Sequence, residues 1–144
     1  MPPAAKENSE EGAEAFARWY VQTLNHLYQH PQTGILDKYA GDNCKGCATQ
    51  LRVMDRSVRN GEVAQGDVYT ILGSSVLTTG DSRYEAVVAF RQHPVVFIDS
   101  QGKQVDKMKA QEEFGLRFEL QYDDEWRVGA QFSNESPQYE ADPR

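Results

Sequence analysis

The chain has 144 residues, a formal net charge of −7 and 39% apolar residues. That length suits one domain, which buries roughly two thirds of its unfolded surface and needs neither a metal nor a disulfide framework to fold. The apolar content excludes a disordered chain, the negative charge excludes nucleic acid as a partner and disfavours free binding to anionic lipid, and no apolar run approaches bilayer length.

Residues 1–8 are rich in Pro, Ala, Lys and Glu and read as a flexible tether. Met1 to Ala5 has neither the basic start nor the apolar core of an export signal. A first helix follows, because Ala13, Phe16, Ala17, Tyr20, Leu24, Leu27 and Tyr28 recur at steps of three and four. Asn8 and Glu11 have the spacing of a capping box, and Pro31 stops the helix. A short helical turn is expected over 35–40. The second helix runs from Cys44 to Arg59, with Cys47, Leu51, Met54 and Val58 as its apolar stripe and Asn60-Gly61 as its end.

From Asp67 the period changes to alternation. Val68 to Thr79 is one strand, with a bulge or bend at Gly73. Tyr84, Ala86, Val88 and Phe90 mark the next strand, and Val95 to Ile98 a short one. Phe114, Leu116, Phe118, Leu120 and Tyr122 mark the most regular strand, and Trp126, Val128, Ala130 and Phe132 the last. The sheet is thus apolar on one face and solvated on the other. Residues 134–144 have two prolines and no periodicity and read as a disordered tail, which leaves one domain at 9–133. Glycines 73, 115 and 129 allow long strands to curl. The expected fold is therefore α+β, with two to three N-terminal helices packed in the concave face of a strongly curved antiparallel sheet, a half-open cone.

Three stretches carry a resemblance: Glu11 to Tyr20 on the first helix, Cys44-Lys45-Gly46-Cys47 at the start of the second, and the closing Trp126-Arg127-Val128. Over residues 8–132 the chain resembles an actinobacterial lipoprotein family of uncharacterised function. The resemblance implies a cystatin-like, nuclear-transport-factor-two-like cone. It also implies an export leader and a lipidated cysteine upstream of residue 1, hence an extracytoplasmic, membrane-anchored protein. It brings no catalytic residues.

Cys44 and Cys47 are the only cysteines, and three readings compete for them. A helix-opening C-x-x-C is a thiol-redox signature, but that motif follows a strand and this one follows a loop. His26 and His30, four apart on one helix, complete a possible zinc set, yet the helical wheel turns them to solvent. A structural disulfide in an exported protein fits the even count and short spacing best. The inward positions Tyr84, Ala86, Val88, Phe90, Phe114, Leu116, Phe118, Leu120, Val128 and Ala130 include no acid or base. Glu85, Arg91, Glu113, Arg117, Glu119 and Arg127 share the outward parity, where cross-strand ion pairs account for them. Asp37, Tyr39 and His93 remain as residues for a cone mouth. No phosphate loop or nucleophile elbow is present, and Asp123-Asp124-Glu125 reads as a polar turn rather than a calcium loop.

The sequence therefore points to a non-catalytic binding or accessory module with no metal or other cofactor. Its partner is an unidentified protein or small molecule, and the chain is a monomer or homodimer. Tyr20, Tyr28, Tyr84 and Trp126 are the candidate ligand anchors, with core packing as the alternative role of each. Two other readings stay open: a dehydratase, isomerase or cyclase working inside the cone, and a homodimer joined through the outer sheet face.

Overall fold

The computed structural model describes residues 1–143. Helix α1 spans Glu10–Gln29 and helix α2 Lys45–Asn60, with turns of 3-10 helix at Pro3–Lys6 and Asp37–Tyr39. Eight strands follow: β1 Val63–Ala64, β2 Tyr69–Gly80, β3 Arg83–Gln92, β4 Val95–Ile98, β5 Gln104–Met108, β6 Gln111–Asp123, β7 Glu125–Asn134 and β8 Glu140–Ala141. They form an antiparallel sheet of five, ordered β7-β6-β3-β2-β8, and one of three, ordered β1-β4-β5. The fold is α+β, with two helices packed on antiparallel sheets. No helix among the described residues is long and apolar enough to cross a membrane.

Helix α1 lies against β2 and β3, and its stripe of Ala13, Phe16, Ala17, Tyr20, Leu24 and Leu27 is buried there. It is capped one residue later than the spacing suggests. The Ser9 hydroxyl accepts from Gly12 N at 3.0 Å. Asn8 instead ties the chain to the β2–β3 end of the sheet, accepting from the Tyr84 hydroxyl and donating to Ser82 Oγ. Helix α2 ends at Gly61, whose φ of 63° is the left-handed geometry glycine adopts without penalty. Its stripe is rotated from the expected one: Ser57 is buried and Val58 is 43% exposed.

The sheet bends at register shifts between Ile71 and Gly73, Phe90 and Gln92, and Glu119 and Leu120. The last shift inverts the face read by β7. Val128 pairs with Leu120 and Ala130 with Glu119, so Gly129 is the extra residue. Beyond it Gln131 is buried, while Phe132, expected on the inner parity, is 44% exposed beneath the Arg117 guanidinium. Of the charged outer positions, Arg117 pairs across strands with Glu85 at 3.8 Å and along its own strand with Glu119 at 3.9 Å, and Arg91 pairs across strands with Glu112.

Both chain ends differ from expectation. The 3-10 turn at 3–6 buries Ala5 completely, held by the Trp126 indole, so the first eight residues are docked rather than a free tether. Residues 134–143 are not disordered: Pro137 is buried and β8 adds to the edge of β2. Strand β5 was also not legible, because Gln104 to Lys107 is exposed and has no alternation to read.

Candidate functional site

The interior between α1, α2 and the large sheet is filled by side chains. The void left where Tyr20, Leu24, Leu27, Leu36, Gln50 and Met54 meet is about 10 Å³, no more than one water occupies. Concave space lies instead on the surface, and the part of it lined by aromatic rings is at the end of the sheet where the β6–β7 hairpin faces the N-terminal 3-10 turn. There a groove of about 740 Å³ opens to solvent.

Trp126 forms its floor, 1% exposed, and donates from Nε1 to the Ala5 carbonyl at 2.7 Å. Phe16 stacks behind it at 5.8 Å, and Tyr84 and Tyr122 meet it edge-on at 5.5 and 5.0 Å. Half-buried Trp19 of α1 forms one wall and meets Tyr39 edge-on at 5.5 Å. The opposite wall is the N-terminal turn, fixed a second time by the Tyr122 hydroxyl, which donates to the Lys6 carbonyl at 3.1 Å. Charges stand only at the rim: Lys6, Lys38, Asp124 and Glu125. The Lys38 ammonium sits 5.0 Å over the Tyr39 ring. Arg127 pairs with Glu125 and donates to the Lys38 carbonyl, joining the hairpin to the 37–39 turn. Such a groove offers the half-buried rings of Trp19 and Tyr122 in its lining and both signs of charge at its rim, which suits stacking and orientation of a ligand.

Of the four anchors proposed from sequence, Trp126 alone lines this groove. Tyr84 lies one ring behind it, with its hydroxyl donating to Asn8 at 2.8 Å. Tyr20 is in the core, edge-on to Phe118 at 5.2 Å, and its hydroxyl donates to Gln50 Oε1 at 3.1 Å. Tyr28 packs at the other end of α1 between Tyr69 and Phe97. Burial pushes the phenols of Tyr20, Tyr28 and Tyr69 above the ordinary value of 10. Trp19 and Tyr122 were not foreseen. Trp19 borders the helix stripe next to Tyr20, and Tyr122 ends the β6 alternation, so both were visible only as core. Tyr39, one of the residues left for a cone mouth, lines this surface groove instead. Asp37 accepts from Gly34 N, and His93 shares a hydrogen bond with Thr70 on the sheet.

Cys44 and Cys47 form a disulfide, with Cα atoms 5.2 Å apart. Both are buried at the start of α2, where Cys44 Sγ accepts from Cys47 N. The start of α2 lies against β7: Gly46, inside the bridged loop, is so close that a Cβ there would meet the Gln131 carbonyl at 2.4 Å. His26 and His30 are exposed and lie against each other, ring centroids 4.8 Å apart, while the sulfurs are bonded to one another. Among the described residues no three His, Cys, Asp or Glu side chains gather as a metal set.

Residues 1–131 match the family of unknown function DUF6318, and the chain belongs to that family. No curated protein matches the sequence significantly. Among solved structures, the chain is similar to the intermembrane space region of chloroplast protein ARC6, with a TM-score of 0.63 and 12% identity. The match covers 89% of this chain and 98% of that one. At that identity the likeness is one of fold.

Proposed function

We propose that the chain is a non-catalytic, extracytoplasmic binding domain whose ligand docks in the aromatic groove beside Trp126. One contrast carries this reading: the interior is packed to a void of about 10 Å³, while about 740 Å³ of aromatic-floored space is open at the sheet end. Ligand sites are typically roughly 300–1,000 Å³, concave and mostly apolar with a few polar groups, and the groove meets each condition. A dehydratase, isomerase or cyclase would need an acid or base aimed into an enclosed pocket. In this chain the carboxylates and arginines of the large sheet point to solvent, and the enclosed space is too small for a substrate. A homodimer through the outer sheet face would have to accommodate the C-terminal residues that cross it.

The finer reading of the fold, a nuclear-transport-factor-two-like cone, is supported by the bulged large sheet curving round α1. An extracytoplasmic place is supported by the disulfide and by the fold shared with an intermembrane space domain. The lipid anchor, on a cysteine upstream of residue 1, rests on the family resemblance. Reading the open reading frame upstream tests it, and the absence of a leader there sinks it.

The groove is tested by titrating a library of small aromatic fragments and short peptides while following indole fluorescence and backbone amide shifts. Binding should perturb residues 19, 39, 122 and 126 together, and Trp19→Ala should weaken it by at least about tenfold, as loss of a stacking anchor does. Hits that map elsewhere, or turnover lost with a mutated ionisable residue, would overturn the reading.

A further inference from the structure

Four backbone pairings lie end to end across the large sheet: Asn134 with Gly115, Gly115 with Ala89, Ala89 with Gly73, and Gly73 with Ala141. Residues paired in this way share a face, so these form one transverse row on the outer side. On β6, β3 and β2 the row has no side chain larger than methyl. Neither Gly73 nor Gly115 has a positive φ, so neither is glycine for the sake of backbone conformation. The row is a trough.

The chain's own C-terminal segment fills it. Pro137 is buried on Gly115, where a Cβ would come within 2.9 Å of its ring. Tyr139 covers Gly73, where a Cβ would lie 2.8 Å from its ring. Ser75 Oγ donates to the Gln138 carbonyl, and Asp142 N donates to the Leu72 carbonyl, each at 2.9 Å. Strand β8 thus adds to the edge of β2. Arg18, from α1 on the inner side, reaches that edge and grips the Asp142 carboxylate at 3.1 and 2.6 Å. The same guanidinium donates to Ser74, whose hydroxyl donates to Glu14, so Arg18 is oriented whether or not Asp142 is present.

We propose that the trough and the β2 edge form a peptide-binding site, and that the C-terminal strap is its intramolecular occupant. The external ligand is an extended segment of a partner protein that repeats the strap's chemistry: a proline, an aromatic ring two residues later and a carboxylate three further on. It enters by strand addition to β2, with main-chain bonds giving affinity and Gly115, Gly73 and Arg18 reading the side chains. The strap is displaceable because its attachments are few and those beyond buried Pro137 are open to water. Strand β8 is two exposed residues long, and the Arg18–Asp142 pair is 27% and 43% exposed. The family match ends at residue 131, before the strap begins, so the trough belongs to the matched domain and its cover does not.

The test uses the full chain and a labelled peptide of residues 134–143. A Pro137→Ala, Tyr139→Ala, Asp142→Ala variant has a weakened strap and should bind the peptide at least about tenfold more tightly than the unaltered chain, where the strap competes at high effective concentration. Adding Arg18→Ala should remove at least about nine tenths of that gain, as loss of a carboxylate grip does. Hydrogen exchange on the unaltered chain is the second measurement: amides 140–142 should exchange by local opening, well ahead of the core of β3. Failure of the folded variant to bind the peptide overturns the proposal. So does strap exchange that occurs only with global unfolding. Dimers formed by strap exchange would assign the site to a second copy and overturn the partner reading.

Discussion

Phe118→Ala should be among the most destabilising single truncations in the chain, and its neighbour should be nearly silent. Phe118 is fully buried in the middle of β6, between Ala86 of β3 and Gln131 of β7, with Tyr20 edge-on at 5.2 Å. Truncating a buried phenylalanine costs about 3–5 kcal/mol, and the spread reflects how far the site collapses. Collapse here is restrained, since paired strands flank the position and Ala86 has no side chain to swing in. A loss near the middle, about 4 kcal/mol, takes a large share of the roughly 5–15 kcal/mol that holds such a domain together. With a urea slope of about 2 kcal/mol/M, the midpoint should fall by roughly 2 M at unchanged slope. Glu119→Ala, one residue on, loses an ion pair to Arg117 at 3.9 Å from a side chain that is 55% exposed. It should cost under about 0.5 kcal/mol. Equal losses in the two urea melts would refute the assignment of β6 faces.

Alkylation of oxidised, folded protein should add no mass at Cys44 or Cys47 until a reductant is present, and reduction should cost about 2 kcal/mol; two freely alkylated thiols would contradict the bridge. Trp126→Phe leaves the buried Ala5 carbonyl without its donor, which should cost about 1–3 kcal/mol and speed tryptic cleavage after Lys6; an unchanged cleavage rate would mean the N-terminal turn is held by other contacts. Folding raises the phenol pKa of Tyr20, Tyr28 and Tyr69, so above pH about 10 the unfolded chain releases these protons first. Stability should therefore hold below that pH and fall as pH rises further, and these three of the seven tyrosines should escape tyrosinate absorbance until the chain unfolds. Early ionisation of all seven in folded protein would contradict their burial.

Periodicity made much of the fold legible. The α1 stripe, the Gly61 stop, the bend at Gly73 and the β6 alternation each follow from side-chain spacing that one buried face imposes. The misread parts lie where spacing carries no such constraint. Strand β5 is exposed from Gln104 to Lys107, so nothing selects an alternating pattern. Phe132 belongs to the right strand but the wrong face, because Gly129 adds a residue and the period of two inverts beyond it. The tail has no pattern of its own because its few anchors, Pro137, Tyr139 and Asp142, answer to partners on three other elements.

Both candidate sites were hidden in a further way. Trp126 was visible as an anchor because it is large and isolated at a strand start, but Trp19 and Tyr39 join it only through the packing of α1 and the 37–39 turn. The trough is made of residues that each looked like something else: Gly73 a bend, Gly115 a curl, Ala89 a small residue on the outward parity between Val87 and Arg91. Aligning them needs the registers of β2 on β3 and β3 on β6, which run unbroken from the pairs Thr78–Tyr84 and Arg83–Gln121 up to this row. A register shifted by one residue on either side would set Ser74 or Leu116 into the row and close it. The bulges at 71–73 and 90–92 begin just beyond this row, so its small residues lie where the sheet starts to bend around α1, and the strap crosses the outer side of that bend.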